Sequence, residues 1–223
     1  LQQVVSQELP KRAGSTDLAG LMLKLDSMCS SADLGSMKAV LEESVNLFTV
    51  LGNNKGLGNN LSNLATVELA MGQFQAARKH MEQSIEIAKQ VVSTLERSFP
   101  KTTDVETATG GKGKELQRAK ITLSDRQGKL ALILLEIQEF PSAVSLLEQM
   151  LEFDRSTAYV RGCIEKQSAL GHHYLRSGQL ILAEKVFTAS LKLLQDMQHV
   201  PGVSASEASA YEMLALHDLA ALE

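Results

Sequence analysis

The chain reads as all-α, a solenoid of stacked helical hairpins, and three observations point there. The first is a repeated set of apolar and small residues. Leu61, Leu64, Ala65, Gly72, Phe74, Ala77 and Met81 have counterparts in Leu130, Ala131, Leu134, Phe140, Ala143 and Leu147. Forty residues further on stand Leu170, Gly171, Tyr174, Gly178, Leu180, Ala183 and Phe187, and a weaker set (Leu21, Leu25, Met28, Leu34, Met37, Leu41) lies 40 residues before the first. The second is that apolar residues within each set fall at helical spacing. The third is a glycine-marked break inside the sets, at Gly72-Gln73 and Gly178-Gln179, where a left-handed residue would end one helix and admit the next. A period between 20 and 50 residues is the mark of a stacked array, and such arrays mostly present surfaces to partners.

Each element follows in order. A helix over 1–9 would end at Pro10, which cannot continue one. A first, degenerate unit spans 18–51, and 47–56 is read as its connector to the next. The second unit, near 58–91, begins with a helix over 58–71. Its second helix runs from Phe74 to Arg97, with Ala77, Met81, Ile85 and Ala88 on one stripe. The interval to the next match exceeds the period by 26 residues. The polar, Gly-rich run that includes Pro100–Asp104 and Thr109–Lys114 is therefore read as a flexible insertion near 98–115. Helix resumes near Glu115 and runs to Glu136, overlapping a third unit near 124–157. A fourth unit follows near 164–197, and a last helix over 206–222 carries Tyr211, Leu214, Ala215 and Leu219. The whole of 1–223 is read as a single array.

Small residues set the packing. Ala65 with Ala77, Ala131 with Ala143, and Gly171 with Ala183 stand where the two helices of a hairpin cross, and small side chains let the backbones approach. Met81, Leu147 and Phe187 are placed to fill the gap towards the neighbouring unit. The eight methionines fall mostly on these packing stripes, as core filler.

Asn63-Leu64-Ala65 with Gly72-Gln73-Phe74-Gln75-Ala76-Ala77, and Leu170-Gly171-His172-His173-Tyr174 with Gly178-Gln179-Leu180-Ile181-Leu182-Ala183, resemble the tetratricopeptide repeat in a long-period variant. The departures are the missing Trp and closing Pro, the period of 40 instead of the family's usual 34, and Ser44, Ser84, Met150 and Ser190 at a position usually occupied by Ala. The resemblance implies a right-handed α-solenoid whose first helices line a concave, peptide-binding groove. Carried over by register, the groove positions are Asn59, Ser62, Asn63 and Thr66, then Asp125, Lys129 and Leu132, then Glu165, Ala169, His172 and Arg176. Asn63 takes the place where related arrays use Asn to bind a peptide backbone. Lys129 and Arg176 are basic candidates for a clamp on a C-terminal carboxylate, although the first unit lacks the matching Lys and Asn.

Composition narrows the function classes. A net charge of −4, 4% aromatic residues and no Trp argue against nucleic acid. No run of 18 apolar residues suggests membrane insertion. Two isolated cysteines, Cys29 and Cys163, read as reduced thiols in a cytoplasmic protein. The start at Leu1 in place of Met fits a piece of something longer. Gly52–Gly58 and Gly110–Lys114 look loosely like phosphate loops, but neither follows a strand or ends in Gly-Lys-Ser/Thr, so both are read as turn or linker. The five histidines include the adjacent pair His172 and His173, which a helix splays by about 100°. No metal-binding spacing occurs, so no metal or cofactor is expected. No nucleophile motif is present, so no enzyme is expected.

The expected function is a non-catalytic scaffold or adaptor that binds another protein or a peptide segment. The alternatives are a subunit fixed in a large assembly, or a helical regulatory module of a longer sensor or enzyme. A homodimer through the last helix is compatible with all three. Exposed apolar residues on terminal helices would favour assembly, and in the groove would favour peptide capture.

Overall fold

The computed structural model describes residues 34–98 and 111–197, together with Leu219. The expected helices over 1–9 and 206–222, the start of the first unit and residues 99–110 lie outside the described residues. The described part is seven α-helices: α1 (Leu34–Val50), α2 (Asn54–Ala70), α3 (Phe74–Arg97), α4 (Gly111–Glu136), α5 (Phe140–Ser156), α6 (Val160–Arg176) and α7 (Leu180–Met197).

The turns share one geometry. Gly52, Gly72, Gln138, Ala158 and Gly178 all have positive φ. In each case the next residue's N–H donates to the carbonyl five residues back, as in Asn53 to Phe48, Gln73 to Glu68 and Tyr159 to Asp154. That is the 6→1 bond of a left-handed helix cap. Gly pays least for this conformation, and Gln138 and Ala158 adopt it at a cost of about 1–2 kcal/mol each.

Two boundaries differ from the sequence reading. The helix expected from Gly58 starts at Asn54, because Asn53 caps it: its side-chain oxygen accepts from the Gly56 N–H at 2.9 Å. The connector over 47–56 thus shrinks to the turn around Gly52. Residues 111–114, expected in a flexible insertion and read as linker, belong to α4. The physical reason is mutual support. At 24 and 26 residues, α3 and α4 outrun the 17-residue helices around them. They pack against each other, and Lys120 on α4 pairs with Glu96 on α3 at 2.8 Å.

Consecutive helices pack side by side, and α4 also touches both α2 and α6. Among the described residues the backbones of α1, α3, α5 and α7 do not approach one another closely. The helices α2, α4 and α6 therefore form the closer, inner row. The crossing residues Ala65, Ala77, Ala131, Ala143 and Ala183 are fully buried. At Gly171 a Cβ would overlap the Phe187 ring, so the absent side chain sets the distance between α6 and α7. Met81, Leu147 and Phe187 are buried. Met81 shares a cluster with Ile133 of the next hairpin and Leu147 with Cys163 and Leu170, whereas Phe187 lies against Gly171 of its own hairpin. Met37, Met71 and Met150 are only half-buried. Ile133 on α4 joins the cluster of Ala65, Ala77, Met81 and Ile85 in the preceding hairpin, while Ala131, Leu134 and Leu135 serve α4's own.

A candidate ligand groove on the inner helices

The inner row presents its side chains in register, and the register carries a buried polar series. Asn60, Arg126 and Lys166 stand at one position of α2, α4 and α6, because they hold the same offset from Ala65, Ala131 and Gly171. All three are buried. Arg126 reaches back to the preceding hairpin, donating to Asn59 Oδ1 at 2.7 Å and to the Ser84 carbonyl at 2.9 Å. Gly58 makes room for it, since a Cβ there would lie 2.8 Å from Arg126 Nη1. Lys166 also reaches back. It meets Asp154 Oδ2 at 2.6 Å and lies 3.9 Å from Asp125 Oδ1. Asp154 is fully buried and accepts a second bond from Ser124 at 2.8 Å. A Cβ at Gly162 would overlap the Asp154 carboxylate, so that glycine admits the charge.

Above the Lys166 pair lies a cavity of about 330 Å³ between α4 and α6. Asp125, Lys129, Leu132, Glu165 and Ala169 line it, together with Gly128, Leu147, Tyr159, Arg161 and Lys166. Five of the groove positions inferred from register thus meet around one space. Tyr159 donates to Asp125 Oδ2 at 3.3 Å, and Arg161 pairs with Glu165 at 2.9 Å. Burial raises the Asp125 carboxyl above its ordinary range, with the Lys166 cation opposing it. Burial lowers Lys129, with Asp125 and Glu165 opposing. Burial also raises the Tyr159 hydroxyl, and pushes the Cys163 thiol up to about 11. Cys163 is buried, which disfavours its thiolate.

The other expected groove residues lie elsewhere. Asn59 is committed to Arg126. Asn63 and Thr66 are exposed on α2, the Thr66 hydroxyl donating to the Ser62 carbonyl at 2.9 Å. Ser62 is buried. His172 is half-buried, its Nδ1 lying 2.9 Å from the Ser168 carbonyl, and its ring stands edge-on to Phe187. Arg176 pairs with Glu136 at 3.5 Å on the surface. Neither His172 nor Arg176 reaches the cavity. Sequence reasoning missed Tyr159, Arg161, Lys166, Asp154 and Arg126. The signal that could have found two of them, Arg126 and Lys166, is the shared offset of 60, 126 and 166 from the small crossing residue.

A second buried carboxylate, Glu68 on α2, takes His80 Nδ1 at 2.7 Å and Lys38 at 3.3 Å, tying α1, α2 and α3 together. Among the described residues no group of three or more His, Cys, Asp or Glu is placed to hold a metal. Among the same residues no helix is long and apolar enough to cross a membrane. The model of the tetratricopeptide repeat family matches residues 35–90, which takes in α1, α2 and most of α3. No curated protein matches the chain.

Proposed function

From the premise that this is a tetratricopeptide-repeat chain, we propose that it is a non-catalytic scaffold or adaptor that holds a segment of another protein along the inner face of α2, α4 and α6. Repeats of this family mediate protein–protein interaction. One observation carries the finer reading: groove positions on two successive inner helices converge on a single cavity, with the exposed Asn63 in line with them on α2. Lys166 bridges to Asp154 and Asp125, and Tyr159 to Asp125, and among the described residues lining the cavity none is paired as nucleophile with base, which supports a binding role.

The second reading, a subunit fixed in a larger assembly, has its own support. Leu180, Ile181 and Leu182 at the start of α7 are exposed, Ile181 at 82%, as are Leu34, Val50 and Leu51 at the ends of α1. In the groove only Leu132 is comparably exposed among the described residues, at 39%.

A photo-crosslinking amino acid at Asn63 and, separately, at Ile181 separates the two. With source-cell lysate and mass spectrometry, the groove reading expects a partner peptide crosslinked at 63 and not at 181. Crosslinks confined to 181, in fixed stoichiometry, would replace it with the assembly reading.

A further inference from the structure

The cavity between α4 and α6 has an electrostatic balance that selects its occupant. Lys129, Arg161 and Lys166 bring three positive charges. Asp125, Glu165 and, beneath them, Asp154 bring three negative ones. Lys166 is held by Asp154, and Arg161 by Glu165. Among the described residues Lys129 forms no hydrogen bond or ion pair, although burial partly desolvates it. Lys129 lines the cavity, and its ammonium has three donors to offer. Among the described residues Asp125 Oδ2 accepts from Tyr159 and Glu165 Oε1 from Arg161, the other Asp125 oxygen is buried without a hydrogen bond, and a carboxylate oxygen can accept more than one bond.

An anionic ligand would satisfy Lys129 but would add a charge beside Asp125 and Glu165. A cationic one would satisfy the carboxylates but would crowd Lys129. Either leaves the cavity with an uncompensated, partly desolvated charge, which is costly. A neutral group with an acceptor and a donor side by side meets both needs. The volume sits at the lower end of ligand sites and suits a single side chain.

We propose that this cavity holds the primary carboxamide of a glutamine or asparagine side chain, with Lys129 Nζ donating to its oxygen and the carboxylates of Asp125 or Glu165 accepting from its nitrogen. This rests on the groove reading above, since the side chain would belong to the segment bound there. The site would therefore discriminate against the isosteric carboxylate of Glu or Asp.

The probes are N-acetyl-glutamine N-methylamide and its glutamate analogue, each titrated into the 15N-labelled full chain and followed by amide chemical shifts. The glutamine probe is expected to move the Gly128 and Tyr159 resonances and to bind about tenfold tighter than the glutamate probe, the scale of one charge-assisted hydrogen bond. Lys129→Met, which keeps the aliphatic stem, should abolish those shifts while circular dichroism stays unchanged. Glutamate binding as tightly as glutamine, shifts spread elsewhere, or no shifts at all would overturn the proposal. A partner that crosslinks at Asn63 but binds Lys129→Met as well as wild type would sink this inference and leave the groove reading intact. Absence of any groove crosslink would sink the reading beneath it.

Discussion

The seam between α3 and α4 and the seam between α5 and α6 place a buried cation at the same position and surround it differently. At the first, Arg126 donates to two neutral acceptors, the Asn59 side chain and the Ser84 carbonyl. At the second, Lys166 faces two carboxylates, one of them fully buried. Asn59 and Asp125 are counterparts by register, so an amide on one inner helix is a carboxylate on the next. The guanidinium lies against Gly58 at the first seam, whereas the compact ammonium at the second underlies an open cavity. One backbone architecture thus tolerates a bridge between neutral acceptors and a buried ion pair, and the ion pair makes the second seam the more fragile.

The largest effect expected is at Asp154. Asp154→Ala leaves Lys166 buried without its partner and should cost about 3–5 kcal/mol in urea unfolding. The double variant Asp154→Leu/Lys166→Met should recover most of that loss, because a buried pair is often replaceable by apolar residues of similar size. If the single and double variants are equally destabilised, charge is not the cause. Arg126→Met comes next. It strands two partners that are not ionised, and should cost about 1.5–3 kcal/mol. A loss as large as that of Asp154→Ala would erase the distinction between the seams.

The turns sharpen the comparison at smaller scale. Gly178→Ala meets no atom within 4 Å, so its cost of about 1 kcal/mol would be purely conformational. Ala158→Gly, at the turn that enters α6, relieves the same strain and should gain less than about 1 kcal/mol, since glycine also loosens the unfolded chain. Thermal midpoints moving in opposite directions would bear this out.

The smallest effect is in pH dependence. Burial raises the Asp125 carboxyl from its ordinary value of 3.8, against the pull of Lys166. A raised acid favours folding while protonated. Its contribution is complete below 3.8 and is lost as pH rises through the higher folded value. Asp125→Asn should flatten that step, and stability measured from pH 3 to 7 would show it. A steeper profile in the variant would contradict the assignment.

The residues explain which parts of this were legible. Ala65, Ala77, Ala131, Ala143 and Gly171 announced the crossings, because small side chains at fixed offsets serve nothing else so well. Gly72 and Gly178 announced their turns for the same reason. Gln138 and Ala158 take the same left-handed geometry with nothing in their identity to reveal it. Gly111 and Gly113 looked like linker by composition, yet sit in a helix supported by α3. Five of the positions inferred by register line one cavity, while Asn59 and Arg176 are spent on internal pairs.

The local chemistry of the chain by itself determined the helices, the hairpin crossings and the inner face, because packing period and steric size are properties of short spans. Tertiary structure alone decided which polar side chains are consumed in bridging hairpins and which face open space. Arg126 and Lys166 meet acceptors 42 and 12 residues away, and Lys129 meets none among the described residues. Such pairing depends on how neighbouring hairpins stack, and no spacing within a single helix encodes it.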